Sequence, residues 1–232
     1  MMTMLISEVL GEGSMNTCIK KFFVLFGVIV VFFIIGLYKN ADMPKQKEYL
    51  TAFSNVLFSA DSFVQIYPQM DSNMTLAKIY KVNDELEMKE ENRTFALLDL
   101  DDDGTPELIL PLAIGDSDSI YGFEILHYID GDVLGYVLPY RAFYPLKEDG
   151  TFISSGGATD WKICSISAFT RQTYCTNVHL QIKTSGSIGT NMIYSYYVNG
   201  HEVNEKIFNE AVTEWNDKED VVFLKLSKQY WQ

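Results

Sequence analysis

The sequence is poor in positive charge. Its 232 residues include 18 lysines and arginines against 31 aspartates and glutamates, which gives a formal net charge of -13. The charged residues before position 39 cancel, so the whole excess belongs to residues 39–232. An acidic surface of this kind repels nucleic acid and anionic lipid headgroups and attracts cations. We therefore expect no nucleic-acid partner.

The sequence also lacks the short motifs of common catalytic centres. It contains neither a Gly-x-Ser-x-Gly nor a Gly-x-x-x-x-Gly-Lys pattern, which would place a nucleophile or cradle a phosphate. His127, His179 and His201 lack the spacing that would hold zinc, so we interpret each as a strand or turn residue. Nothing places a base beside a cysteine to generate a thiolate. No catalytic residue can be assigned from these patterns.

Two of the three cysteines lie on predicted neighbouring strands. Cys164 and Cys175 flank a predicted turn near residues 169–170, so they could face each other as a cross-strand disulfide if the register allows it. An oxidising exterior would permit the bond. Two small buried thiols are the alternative interpretation.

What the sequence does contain is an acidic loop between two apolar runs. Residues 99–107 read DLDDDGTPE, with acids at positions 1, 3, 5 and 9 and Gly104 at position 6, where the chain must turn sharply. Alternate side chains of a curled loop converge on one point, and calcium takes about six to eight hard oxygen ligands. We therefore predict a calcium site. Its predicted ligands are the carboxylates of Asp99, Asp101, Asp103 and Glu107 and the backbone carbonyl of Thr105.

A simpler interpretation of the acidic loop stays open. Asp-Gly is a strong turn signal, so the acids could merely solvate a hairpin, although their alternation is more than a turn requires. The loop is not an EF-hand, because Leu110 stands where an EF-hand needs a bidentate Glu. The flanking apolar runs, 95–98 and 108–110, are too short for helices and predict buried strands.

The pattern Asp-x-Asp-x-Asp-Gly-x-Pro-Glu-Leu at residues 99–108 resembles the calcium loops of FG-GAP repeats in integrin-type propellers. It also resembles a strand-loop-strand motif of exported or membrane-anchored proteins of Gram-positive bacteria. A weaker resemblance to the same exported proteins covers residues 196–203 and the helix after them. The motif occurs once, whereas a propeller needs repeated blades, so no propeller is implied. The resemblance implies calcium and an extracytoplasmic address, and no common activity.

A long apolar run stands near the N-terminus. Residues 22–38 (FFVLFGVIVVFFIIGLY) are seventeen uncharged residues preceded by Lys20 and Lys21. As a helix they would span about 25 Å, the short end of a membrane crossing, and the lysines favour a cytoplasmic N-terminus. We predict four parts: a cytoplasmic segment 1–21, a transmembrane signal anchor 22–38, a linker 39–47 and an extracytoplasmic domain 48–232. A cleaved signal peptide, which would release the domain as a secreted protein, is the alternative.

Helical periodicity occurs on both sides of the acidic loop. From Tyr49 to Val64, apolar residues recur at intervals of three and four, which predicts a helix with one apolar face packed on a sheet. The pattern in residues 76–86 suggests a second helix. Near the C-terminus, Asn204 is a favourable N-cap, and Val203 can pack on Phe208 across the first helical turn.

Strand patterns separated by short turns fill most of the rest. Turn signals stand at residues 130–131, 149–150, 156–157, 185–186 and 199–200. The predicted strands are 121–129, 133–138, 140–146, 162–169, 174–183, 192–198 and 221–226. Short turns join antiparallel neighbours. We therefore expect an α+β fold: an antiparallel β meander with one helix before it and one near the C-terminus packed on it, preceded by the transmembrane helix.

Two functional hypotheses follow. The first is a membrane-tethered extracytoplasmic calcium-binding module with a binding or structural role at the cell envelope, where a glycan or a protein would be its partner. The second is an exported, glycan-directed hydrolase whose calcium is structural. The second requires two acids that converge beside an open groove, at least one with a perturbed pKa. We prefer the first, since no nucleophile or acid-base motif is present.

Overall fold

The structure, a computed structural model, describes five stretches of the chain: residues 48–81, 93–113, 119–157, 160–188 and 191–231. The predicted anchor at residues 22–38 and the linker 39–47 lie outside them. Within these stretches, no helix is long and apolar enough to cross a membrane. The described residues form mainly β-strands with a few helices, which agrees with the predicted α+β class.

The strands fall into two sheets. In chain order they are β1 Phe63–Tyr67, β2 Asp71–Met74, β3 Thr94–Leu98, β4 Glu107–Ala113, β5 Ile120–Ile129, β6 Asp132–Pro139, β7 Thr151–Gly157, β8 Asp160–Phe169, β9 Tyr174–Ile188, β10 Asn191–Val198, β11 His201–Val203 and β12 Leu224–Lys225. The larger sheet has the order β12-β3-β4-β5-β6-β1-β2, and the smaller has the order β11-β10-β9-β8-β7. Each sheet contains an antiparallel meander, β3 to β6 in one and β7 to β11 in the other.

The helices cover the outer faces of the sheets. Helix α1 covers residues 48–58, α2 spans Leu76–Tyr80, and α3 spans Glu205–Asn216. Single 3-10 turns occupy Tyr140–Ala142 and Lys228–Trp231. Asn204 caps α3 as predicted, since its side-chain oxygen accepts a hydrogen bond from the Ile207 amide at 3.0 Å.

The buried side chains form three layers because strand residues alternate between faces. One cluster lies between the two sheets and includes Ile109 and Ile125 from the larger sheet with Phe152 and Phe169 from the smaller. A second joins α1 and α2 to the opposite face of the larger sheet, and a third joins α3 to the smaller sheet. The β3–β4 connection therefore lies beside the layer that the two sheets share.

Several boundaries differ from the prediction. The first helix ends at residue 58, and Ala60 with φ +58° precedes strand β1, which takes Phe63 and Val64. This strand pairs in parallel with β6, so the larger sheet is not a pure meander. Residues 140–146 form a helical turn and a loop instead of a strand, with only an isolated bridge from Leu146 to Phe152. The Tyr140 and Tyr144 rings stack in this segment at 4.8 Å between centroids. Regular pairing at the C-terminus is limited to β12.

Three of the five predicted turns are confirmed and two are wrong. Residues 149–150 form a turn, whereas residues 156–157 end strand β7. Asp130-Gly131 and Asn199-Gly200 turn the chain with positive φ at both residues, as two-residue hairpin turns require. Ser185-Gly186 instead lies inside β9, where the register with β10 shifts by one residue. The smaller sheet therefore has a longer central hairpin than the sequence suggested.

The two cysteines of β8 and β9, both within the described residues, are not joined by a disulfide. The strand register sets Cys164 opposite Val178 and Cys175 opposite Ala168. Cys164 is buried between the sheets while Cys175 is exposed. The predicted cross-strand disulfide is therefore absent from this structure. The β8–β9 turn lies at residues 170–173 and not at 169–170, so Cys175 stands three positions from the residue that faces Cys164.

Candidate metal centre

The acidic loop connects β3 to β4 and turns sharply twice. Asp102 has φ +58° and Gly104 has φ +84°, both in the left-handed region. Gly104 therefore occupies the position for which the sequence predicted it, since glycine adopts this conformation without steric cost. Asp102 and Asp103 are exposed on this loop, whereas Asp99 and Asp101 are half-buried.

Carboxylates of the loop hold its backbone in place. Asp99 Oδ1 accepts from the Asp103 amide at 3.2 Å, and Asp99 Oδ2 accepts from the Gly104 amide at 2.9 Å. Asp103 Oδ1 accepts from the Thr105 amide at 2.6 Å. These are the local bonds by which aspartate stabilises turns. The first and third predicted ligands thus also shape the loop.

Three carboxylates gather on one side of the loop. Asp99, Asp101 and Glu107 each offer one oxygen, and the three oxygens lie within 4.8 Å of one another. Like charges at such separations repel when all are ionised. The cluster could hold a metal ion, whose positive charge would offset the repulsion between the carboxylates. The arrangement does not fix the identity of the metal.

Two polar atoms of the loop have no hydrogen-bond partner within the described part of the chain. They are Asp101 Oδ1 and Thr105 Oγ1, and Thr105 is completely buried. A buried polar atom without a partner costs roughly 1 to 3 kcal/mol. A cation near the three carboxylates would give the Asp101 oxygen a partner. The residues present therefore fit a bound cation.

Glu107 is anchored from two sides in the core. Its Oε2 accepts from the Leu100 amide at 2.7 Å, and its Oε1 lies 2.8 Å from His127 Nδ1. Burial raises the pKa of Glu107 to about 7 against the lowering effect of these two bonds, and the Asp101 charge raises it further. Burial lowers the pKa of His127, but the bond and charge of Glu107, with the charges of Asp101 and Asp103, raise it overall. The pair fixes the end of the loop.

The structure brings together part of the predicted ligand set. Asp99, Asp101 and Glu107 form the cluster, whereas the Asp103 side chain is exposed and bonded to the loop backbone. Thr105 lies on the same loop with its side chain buried. The structure thus supports three carboxylates as a group, and the contributions of Asp103 and Thr105 stay predictions.

His127 is the neighbour that sequence reasoning missed. It was interpreted as an isolated strand residue, yet it is 2% exposed and contacts Glu107. The β4–β5 register, in which Leu108 faces Leu126, places Glu107 opposite His127. Only a correct pairing of these strands could have revealed the contact. The other two histidines lie elsewhere: His179 Nε2 is 2.8 Å from Ser165 Oγ, and His201 is in β11.

A second buried acid, Glu124, lies on the opposite face of the larger sheet. It is completely buried, and neither carboxylate oxygen makes a well-formed hydrogen bond within the described residues. Burial raises its pKa well above the ordinary value, while the nearby Gln65 side chain and Tyr136 backbone lower it only in part. A Cβ at Gly135 would collide with Glu124 Oε1, so this glycine makes room for the carboxyl group.

No protein-family model, no curated protein and no solved structure matches this chain. The resemblance of residues 99–108 to FG-GAP loops thus stays a prediction from the sequence. The acidic cluster and its surroundings are the features on which a function can be argued.

Proposed function

We propose that this chain is a calcium-binding module that faces the cell exterior and has a binding or structural role at the envelope. The single observation that carries the proposal is the cluster of Asp99, Asp101 and Glu107, in which the buried Asp101 Oδ1 has no hydrogen-bond partner among the described residues. The membrane tether at residues 22–38 is part of the same proposal.

The donor chemistry favours calcium over softer metals. The cluster consists of carboxylate oxygens alone, and hard oxygen ligands suit calcium, magnesium and manganese. Calcium accepts irregular shells that include backbone carbonyls, whereas magnesium demands near-octahedral geometry and keeps several waters. A loop with two left-handed residues can supply such a shell from Asp103 and the Thr105 carbonyl. We therefore assign calcium as the ion.

The charge distribution and the N-terminal sequence support a location of the domain outside the cell. The net charge of -13 lies after residue 38, and Lys20 and Lys21 precede the apolar run. Lysines beside such a run favour the cytoplasmic side, which would place residues 39–232 outside. Calcium sites of extracellular modules bind with dissociation constants of about 0.1 to 1 mM. We expect an affinity in that range.

The hydrolase hypothesis receives no comparable support. The two carboxyl groups whose pKa burial raises, among the described residues, are Glu107 and Glu124. Both are completely buried, and they lie on opposite faces of the sheet. Catalytic acids of a glycosidase must reach a substrate in a shared groove. These two acids are therefore better explained as structural groups.

The test of the proposed function is thermal melting of the purified full-length chain, kept in detergent because residues 22–38 are apolar. Calcium at 100 times its dissociation constant should add about 2.7 kcal/mol to the free energy of unfolding, which raises the melting temperature by about 5 to 10 °C over chelator. Magnesium at the same concentration should give a smaller rise. No calcium-dependent rise would leave the loop as an acidic hairpin and would overturn the proposal.

Two variants with the same change of charge locate the site. Asp101→Asn removes a carboxylate of the cluster and should abolish most of the calcium-dependent rise. Asp102→Asn is the matched control, because Asp102 is exposed, lies outside the cluster, and has φ +58°, which asparagine tolerates. Equal losses in both variants would show that calcium responds to net charge and not to this site.

A further inference from the structure

We infer that metal occupancy of the loop also controls how firmly the smaller sheet is held to the larger one, through the β8–β9 turn at residues 170–173. The inference rests on the proposed metal binding and names what that binding regulates. The contacts that support it run from two cluster residues, Asp101 and Glu107, to the last residue of β8.

The first contact is a hydrogen bond between the loop and the smaller sheet. The Phe169 amide donates to Asp101 Oδ2 at 3.2 Å. The other oxygen of the same carboxylate is the buried, unpartnered Oδ1. One side chain can therefore hold β8 with one oxygen and an ion with the other. Any movement of Asp101 changes both.

The second contact passes through the Phe169 ring. This ring stacks on His127 with 5.0 Å between centroids, and His127 lies 2.8 Å from Glu107. The ring also packs on Tyr136 at 4.9 Å. Phe169 is only 6% exposed and belongs to the cluster between the sheets. The backbone and the ring of one residue thus both depend on side chains beside the candidate metal centre.

Other contacts hold the same turn without involving the cluster. Tyr136 Oη donates to the Thr170 carbonyl at 2.6 Å, and Arg171 pairs with Asp132 at 2.7 Å. The Arg171–Asp132 pair is half-exposed on both sides, and such surface pairs contribute little. The turn should therefore stay docked but open locally more often when the cluster lacks a cation.

The physical cause is repulsion among the three carboxylates. Without a cation, Asp99, Asp101 and Glu107 lower their mutual repulsion by moving apart. Glu107 is held by Leu100 and His127, and Asp99 by two loop amides, so Asp101 is the member with the fewest restraints. Its displacement breaks the bond to the Phe169 amide. A bound ion would hold Asp101 in place and keep that bond closed.

Hydrogen exchange of the full-length chain tests this inference. Exchange is measured in calcium and in chelator for peptides that cover residues 99–107, residues 166–174 and helix α3 as the reference. If opening of the turn requires release of the ion, calcium at 100 times its dissociation constant should slow exchange at residues 169–170 by up to about a hundredfold. Helix α3 packs on the outer face of the smaller sheet, and those of its amides that exchange by local opening, without unfolding of the whole domain, should show a much smaller change.

The outcomes separate this inference from the proposed function. Slower exchange in both the loop and residues 169–170 supports it. Slower exchange in the loop alone overturns it while calcium binding stands. No change in either peptide overturns both.

Two variants check that the effect passes through Asp101. In Asp101→Asn the side-chain oxygen can still accept from the Phe169 amide, but the charge that attracts the ion is gone, so calcium should no longer change exchange at residues 169–170. Asp102→Asn should behave like the unchanged chain. A calcium effect on the turn that survives Asp101→Asn while thermal melting shows binding lost would overturn the inference.

Discussion

Glu107 and Glu124 are the same residue type, both completely buried in the same sheet, yet they occupy opposite environments. Glu107 faces the layer between the sheets, where the Leu100 amide and His127 contact its two oxygens. Glu124 faces the opposite side of the sheet and has no well-formed hydrogen bond within the part of the chain that the structure describes. Burial raises the pKa of both.

The partners of a buried acid determine which role it has in the structure. Burying a carboxylate is costly unless it is paired or protonated. Glu107 is paired, and its neighbours Asp99 and Asp101 make a cation favourable. Among the described residues no other acid clusters with Glu124, so protonation is the way to lower the cost of burying it. Glu107 therefore belongs to a candidate metal centre, whereas burial of Glu124 lowers the stability of the fold.

Removing Glu107 should have the largest effect. Glu107→Ala leaves His127 and the Leu100 amide buried without their acceptor. Breaking a buried pair of this kind costs about 3 to 5 kcal/mol. Urea denaturation of the full-length chain measures the loss. A loss below 1 kcal/mol would show that the contact to His127 contributes little.

Replacing the buried carboxyl group of Glu124 with an amide should change stability in the opposite direction. Its pKa is raised from an ordinary value of 4.5, so above that pH the unfolded chain releases a proton that the folded chain retains. This lowers stability by about 1.4 kcal/mol per pH unit until the folded group ionises. Glu124→Gln has no such proton. The stability of the variant relative to the unchanged chain should therefore rise as the pH increases above about 4.5, until the pH at which the folded Glu124 ionises.

The measurement for Glu124 is the free energy of unfolding in urea at several pH values. Glu214→Gln, at an exposed position on α3, is the matched control and should leave the pH dependence unchanged. A difference between Glu124→Gln and the unchanged chain that stays constant with pH would contradict the assignment of a retained proton.

A smaller loss of stability is expected from Tyr136, which contacts the β8–β9 turn from the layer between the two sheets. Tyr136→Phe deletes the hydroxyl that donates to the Thr170 carbonyl at 2.6 Å. A hydrogen bond of this kind contributes about 1 kcal/mol. Melting should show the loss, and hydrogen exchange should show faster opening at Thr170. Unchanged exchange there would remove this bond from the contacts that hold the turn.

The smallest expected effect comes from the exposed pair on the same turn. Arg171→Ala removes the contact to Asp132, which should cost at most about 0.5 kcal/mol because both side chains are half-exposed. Calcium should then slow exchange in residues 169–170 by a larger factor than in the unchanged chain, since fewer contacts remain that do not involve the cluster. An equal or smaller factor would indicate that the pair and the ion act independently.

The local features of the candidate centre were predictable from the sequence. Alternating acids with Gly104 at the turn predicted the loop, and the left-handed conformation of Gly104 is confirmed. Asn204 likewise predicted the start of α3, because the cap depends on residues within one turn. Such signals depend on residues that are close together in the chain, so they can be recognised from the sequence alone.

Features that depend on distant pairing escaped prediction. His127 lies 20 residues from Glu107, and only the β4–β5 register brings them together. Phe63 and Val64 continued the apolar spacing of α1 but belong to β1, where the pairing with β6 decides their conformation. Asp101 and Phe169 are 68 residues apart and lie on different parts of the fold. Their contact results from the packing of two sheets, which no local pattern encodes.

The two edge strands of the larger sheet affect how readily copies of this domain can pair with each other. Its edge strands are β12, with two residues, and β2, with four. A strand from another molecule would find few unpaired amides and carbonyls at either edge, so pairing between copies would gain little. For domains held at high local density on one membrane, as we propose, these two edges would therefore give neighbouring copies little opportunity to pair through the larger sheet.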